Sequence, residues 1–314
     1  MRTAFVRTVE DLAQKDGNIF LLTADLGFGL FDKFRAAYPK RFLNVGVAEA
    51  NMIGVAAGLA LSGKNVYCYS IATFLTTRCF EQIRIDLCYQ NLNVKLIGAG
   101  AGWSYGLEGM THHAIEDVSI MKSLPNMTVV APGDPVEAQA VIAESATYRG
   151  PLYIRFGKNN DPRIHKDLPD FRIGKGTVID RGNSGLTIIA SGTMLPTAKS
   201  VLDTLASRGL MATLISMPTI KPLDESLIRE CATESQAIFT IEEHSIIGGL
   251  GSSVADTLMD LNYRGLFRKI GLPDKYCPAI GGRNYLLEKH YLTPEAIADR
   301  ISTEYKQIRR EIAV

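Results

Sequence analysis

Thr128-Val129-Val130-Ala131-Pro132-Gly133-Asp134-Pro135-Val136-Glu137 passes from one kind of element to the other in a single stretch. Thr128–Ala131 is an apolar, β-branched run that reads as a strand. Asp134 can cap a helix, Pro135 suits its first position, and Glu137 can reach back to the cap. The same rhythm extends on both sides. Ile19–Thr23, Val66–Tyr69, Val94–Gly98 and Leu152–Phe156 read as strands, with helical stretches between them. Strands alternating with helices predict an α/β fold with a mostly parallel sheet covered on both faces.

The rhythm breaks over Lys158–Arg172, which holds Pro162, Pro169 and mixed charges and reads as an interdomain linker. It then resumes. Leu186–Ala190, Thr213–Met217, Ala237–Ile241 and Lys269–Leu272 look like strands, and Thr293-Pro294 starts a final helix. The 314 residues thus divide into two α/β domains, 1–165 and 166–314, as expected at roughly 150 residues each.

Composition narrows the function. Lys plus Arg number 34 against 33 acidic residues, a net charge of +1, so no overall field favours nucleic acid or an anionic membrane. The five cysteines are odd in number and no two are three apart. That excludes a disulfide framework and a zinc spacing, and suits a reducing cytoplasm. Met1–Asp16 carries Glu10, Asp11 and Asp16, unlike a signal peptide. The small-apolar run Met52–Leu61 is half a membrane span and is broken by Gly54 and Gly58.

Several residues could carry chemistry. Glu49 stands between a short apolar strand and a helix, where a carboxylate either serves the helix dipole or a reaction. Thr111-His112-His113 follows a glycine-rich strand exit, Gly98–Gly102, where parallel folds place ligands. Adjacent histidines rarely share one ion, so no metal site is assigned. Phe74 and Phe80 read as core unless a ligand packs on them. Arg155 ends a strand as a linker charge or an anion ligand. Gly248-Gly249-Leu250-Gly251 reads as a tight turn rather than a phosphate loop. Ala50, Gly54, Gly58 and Ser62 put small side chains on one helix face, for packing within the domain or at a subunit interface.

The order of these segments resembles the C-terminal half of a transketolase. The likeness rests on Thr23-Ala24-Asp25-Leu26-Gly27; Val45-Gly46-Val47-Ala48-Glu49 with Asn51-Met52; Ala72-Thr73-Phe74-Leu75; Gly109-Met110-Thr111-His112-His113; Leu124-Pro125-Asn126-Met127; and Ile220-Lys221-Pro222-Leu223-Asp224. Such a block pairs a pyrimidine-binding domain with a transketolase C-terminal domain, and deoxyxylulose-phosphate synthase and the β subunit of 2-oxo-acid dehydrogenases share it.

The resemblance implies a thiamine-diphosphate enzyme transferring ketol units. It also implies a partner subunit with a diphosphate-binding domain that holds Mg²⁺ and the diphosphate, in an α2β2 assembly. Glu49 matches the glutamate that bonds the aminopyrimidine, and burial among Val45, Val47 and Met52 is expected to suit its proton-sharing role. Phe74, and with less secure register Phe80, match aromatics packing on that ring. His112 matches a histidine contacting substrate oxygens. Arg155, and with insecure register Arg2, match phosphate ligands. The chain departs from the pattern at Gly29, where a phosphate-binding serine is expected, at Gly100, where a histidine is expected, at Ala101 and at Glu108. Fewer anchors suggest a modified sugar. The alternative is a decarboxylating β subunit or synthase.

Overall fold

The computed structural model describes residues 1–158, 161–167 and 170–312. Its strands are β1 (Ile19–Thr23), β2 (Phe42–Asn44), β3 (Asn65–Ile71), β4 (Val94–Ala99), β5 (Thr128–Val130), β6 (Leu152–Phe156), β7 (Thr177–Asp180), β8 (Leu186–Ala190), β9 (Thr213–Ser216), β10 (Thr219–Lys221), β11 (Ala237–Ser245) and β12 (Leu266–Leu272). Its α-helices are α1 (Arg2–Lys15), α2 (Asp32–Ala37), α3 (Glu49–Leu61), α4 (Phe80–Gln82), α5 (Asp117–Lys122), α6 (Pro135–Ser145), α7 (Leu195–Ser207), α8 (Glu225–Glu234), α9 (Leu250–Asp260), α10 (Arg283–Lys289) and α11 (Pro294–Ile312).

Two sheets result. The larger has seven strands in the order β10-β5-β6-β4-β3-β1-β2, and the smaller five, β12-β11-β8-β9-β7. All pairs are parallel except β10 against β5 and β7 against β9. The central strands are buried along their length, as a parallel sheet covered on both faces requires. The two antiparallel edge strands gave no signal in the helix–strand rhythm. β10 comes from the second half of the chain yet completes the first sheet, pairing Thr219 with Val130 and Lys221 with Val129.

The Asp134 cap forms as its sequence predicts, while Glu137 reaches back one residue further, to Gly133. Asp134 Oδ1 accepts from the Glu137 amide at 2.8 Å, and Glu137 Oε2 accepts from the Gly133 amide at 2.7 Å. The linker is strapped to this corner: Ile164 and His165 donate their amides to Asp134 Oδ2, each at 2.8 Å. Asn159, Asn160, Leu168 and Pro169 of the linker lie outside the described residues. Among the described residues no helix is long and apolar enough to cross a membrane.

On the small-residue face of α3, Ala50 packs against the domain's apolar cluster, but the rest of the row does not pack within the domain. Gly54, Gly58 and Ser62 are exposed, and a Cβ built on either glycine would meet nothing within 4 Å.

Candidate functional site

In the larger sheet the chain runs outward from β1 to β2 on one side and from β3 to β4 on the other. Such a reversal opens a crevice at the carboxyl ends of the strands. The segments leaving β2, β3, β4 and β6 carry Glu49, Phe74, His112 and Lys158. Sequence-distant residues therefore converge there.

Glu49 is the first residue of α3 and is only 1% exposed. The turn before it is held by Asn44, whose Oδ1 accepts from the amides of Asp25 at 2.9 Å and Gly46 at 3.0 Å. The apolar enclosure expected from the sequence is incomplete, because Val47 is exposed. The carboxylate has polar partners instead. Ser70 donates to Oε1 at 3.2 Å, and Arg78 Nη1 donates to Oε2 at 2.8 Å.

Arg78 also lies over the Phe74 ring, its Cζ 5.0 Å from the centroid. Phe74 also meets His112, edge to face, with centroids 5.0 Å apart. Glu49, Arg78, Phe74 and His112 thus form one continuous set. Phe80 lies beyond the Cys79 break, is half-buried, and packs against the apolar cluster that contains Met52, Leu75 and Ile83.

The His112 loop is tied at its base. Gly102 and Ala114 exchange amide bonds of 3.0 and 2.9 Å, and Gly100 and Ala101 both donate to the Phe156 carbonyl. Thr73 Oγ1 donates to the Thr111 carbonyl at 3.3 Å, and Thr111 Oγ1 bonds His112 Nδ1 at 2.9 Å. His113 turns into the interior, so the two histidines do not share a site. Gly100 is in the left-handed region at φ 93°, and a Cβ there would lie 2.1 Å from the Tyr105 ring. Tyr105 fills the space in which a histidine at position 100 would have to fit.

Arg155, which the resemblance makes a phosphate ligand, is turned inward in this structure. Its side chain is 3% exposed. Nε donates to Asp117 Oδ2 at 2.7 Å, and Nη2 donates to the carbonyls of Ala114 at 2.6 Å and Glu243 at 3.0 Å. Tyr153 donates to the same Asp117 oxygen at 2.6 Å. The guanidinium is spent on tying β6 to the loop base and to β11 of the other domain. The accessible cation at this strand end is Lys158, 2.7 Å from Glu108 Oε1 and 4.2 Å from the centroid of Tyr105. Arg2, half-buried at the start of α1, lies in electrostatic reach of the Tyr69 and Tyr105 phenols.

The second domain buttresses the loop. Glu243 on β11 accepts from the Trp103 amide at 2.8 Å and from Thr193 at 2.6 Å, and pairs with Arg283 at 2.6 Å. Its neighbour Glu242 accepts from the amides of Leu250 at 2.7 Å and Gly251 at 2.8 Å. A protein carboxylate thus takes the amides that a phosphate loop would offer, which makes the glycine turn structural. Burial pushes the Glu242 carboxyl up to about 7.

Arg78, Ser70, Tyr105 and Lys158 escape a reading by sequence. Arg78 had a signal: it stands four residues after Phe74, a spacing that places side chains together on a helix.

The crevice fits one half of the implied cofactor. The Arg78 guanidinium, a flat group with donors at its edge, already lies between the Glu49 carboxylate and the Phe74 ring. An aminopyrimidine needs the same carboxylate and the same ring face. Among the described residues no cluster of three or more His, Cys, Asp or Glu could hold a metal ion.

Two family models match. The transketolase pyrimidine-binding domain covers residues 1–163 and the transketolase C-terminal domain covers residues 174–297. A Methanocaldococcus jannaschii protein assigned as a transketolase C-terminal section is 38% identical over 98% of this chain and 96% of its own length. The 6-deoxy-6-sulfo-D-fructose transketolase subunit of a Clostridium species is 37% identical over 98% and 96%. A solved split-gene transketolase, an inactive β4 tetramer, superposes with a TM-score of 0.88 at 36% identity, over 96% of this chain and 97% of that one.

Proposed function

The chain belongs to the thiamine-diphosphate-dependent transketolase family, as a C-terminal section, and we propose that it supplies the pyrimidine half of a cofactor site shared with a second subunit. In this reading the pair moves a two-carbon ketol unit from a ketose phosphate to an aldehyde acceptor in the cytoplasm, as an α2β2 enzyme. The partner holds the diphosphate and Mg²⁺. The names of the relatives support the division of labour, since they are called a subunit, a C-terminal section and a split-gene protein.

The observation that carries the reading is the buried Glu49 carboxylate, joined through Arg78 to the Phe74–His112 pair. When bound, thiamine diphosphate supplies an electron sink for cleaving the bond beside a ketose carbonyl. Glu49 would hold a proton between its carboxylate and the ring nitrogen, with Ser70 fixing its other oxygen. Phe74 would pack on the ring face. His112 is oriented through Nδ1 by Thr111, leaving Nε2 for substrate oxygens on which charge develops. With Arg155 engaged inside the protein, the anionic end of the sugar falls to Lys158, with Arg2 in electrostatic reach of Tyr105. Two relatives are named for a sulfo sugar and for apulose 4-phosphate, substrates whose anionic group a cation suits.

The test is Glu49→Ala in the complex of this chain with its partner. Lost ketol transfer with intact assembly supports the reading, and unchanged turnover would make the chain a scaffold. Release of CO₂ from pyruvate by the wild-type complex would favour the decarboxylating alternative.

A further inference from the structure

Resting on the reading that Glu49 and Phe74 receive the aminopyrimidine, we propose that Arg78 is a built-in stand-in for that ring. Its guanidinium fills the pyrimidine position in the cofactor-free subunit and surrenders Glu49 when the cofactor enters.

Arg78 makes both contacts that the ring needs, a 2.8 Å bond to Glu49 Oε2 and a place over Phe74 with Cζ 5.0 Å from the centroid. A guanidinium is the side chain suited to this: planar, with donors along its edge, and able to lie on an aromatic face. A buried carboxylate left without a partner is costly, so a stand-in keeps Glu49 compensated until the cofactor arrives.

Arg78 is also free to leave. Its side chain is 49% exposed, while that of Arg155 is 3% exposed and bonded on three sides. The backbone beneath it is irregular. Phe74–Arg78 is π-helical and ends at Cys79, before the short helix α4. Such breaks recur at functional sites. Ser70 holds Glu49 Oε1 independently, so the carboxylate keeps its place when Arg78 withdraws.

Cofactor binding must therefore break an ion pair, and that cost appears as reduced affinity. In a calorimetric titration of the cofactor-free two-subunit complex with thiamine diphosphate, Arg78→Ala should lower Kd about two- to fivefold, the range of a partly exposed ion pair. Inorganic diphosphate should bind wild type and variant alike. An unchanged or weaker cofactor Kd overturns the proposal. If Arg78→Ala fails to assemble, the Nε–H resonance of Arg78 in arginine-labelled wild-type complex decides. It should move on saturation with thiamine diphosphate and not with diphosphate, and a resonance that ignores the cofactor overturns the proposal. Glu49→Ala in the same titration separates the two readings. Binding lost in Glu49→Ala but unaltered in Arg78→Ala removes the stand-in alone. Cofactor affinity indifferent to both substitutions removes the pyrimidine site and the stand-in with it.

Discussion

Arg155 lies 2.7 Å from the Asp117 carboxylate, both side chains buried at the base of the loop that carries His112. The pair clamps the loop, because the remaining guanidinium bonds reach backbone carbonyls on the loop and on β11. Removing one partner of a buried pair leaves the other charged and uncompensated, at about 3–5 kcal/mol. Arg155→Gln should therefore lower stability by about that amount in chemical denaturation. Asp117→Asn added to it should recover part of the loss, since no lone carboxylate remains. An Arg155→Gln protein of wild-type stability but greatly raised substrate KM would restore the anchor role.

Lys158 should behave in the opposite way. Its ion pair with Glu108 is half-exposed, and such pairs contribute about 0–1 kcal/mol. Lys158→Ala should leave the denaturation midpoint almost unmoved. In steady-state assays of the two-subunit enzyme it should raise KM for an anionic sugar about tenfold or more, with a smaller effect on kcat. Equal KM values for wild type and variant would place the anionic group elsewhere.

The contrast between these two cations marks how far the sequence could be read. The strand that ends in Arg155 was legible from its apolar run, and so was its place in a parallel sheet. Which face of the strand Arg155 would take was not. Tyr153 and Arg155 share a face by strand alternation, and that face meets Asp117, a residue on another element. Glu49, Phe74 and His112 were singled out by the order of their motifs, since no spacing rule connects residues brought together by the reversal of a sheet. β10 was illegible for a similar reason: three residues become a strand only because β5, from the other half of the chain, offers an edge. The Asp134 helix cap was legible because capping is local, whereas the linker amides that share its carboxylate come from 30 and 31 residues away and were not.

Two buried neighbours give the stability opposing dependences on pH. Burial raises the Glu242 carboxyl from 4.5 to about 7, so between those values the folded state keeps a proton that the unfolded state has lost. Its contribution is complete below about pH 4.5 and fades as pH rises through about 7. His244 is the reverse. Burial lowers it from 6.5 to about 4, and the neutral ring is used on both sides, Nδ1 donating to the Ser245 carbonyl and Nε2 accepting from the Ser119 amide. Its contribution is present above pH 6.5 and fades as pH falls through about 4. Arg155 opposes the His244 charge and favours that of Glu242, while Asp117 favours charge on His244. From about pH 4.5 to 6.5 these two contributions therefore change in opposite directions. Glu242→Gln should expose stability that rises with pH, and His244→Gln stability that falls. Denaturation midpoints across that range check both, and two parallel profiles would refute the assignment.

Gly58 offers a prediction that separates folding from assembly. A Cβ there meets nothing within 4 Å, so a larger side chain has open space in the subunit itself. Glycine is also the weaker helix former, by about 0.5–1 kcal/mol against an ordinary residue. Gly58→Leu should thus leave the isolated chain as stable as wild type, or more so. The exposed row of Gly54, Gly58 and Ser62 starts one turn from Glu49, and a small-residue face lets another helix approach closely. If that helix belongs to a second subunit, Gly58→Leu should shift the particle to a smaller mass in analytical ultracentrifugation with its fold intact. A variant that assembles as wild type would show that this face stays in solvent, and would leave its small residues without a packing role.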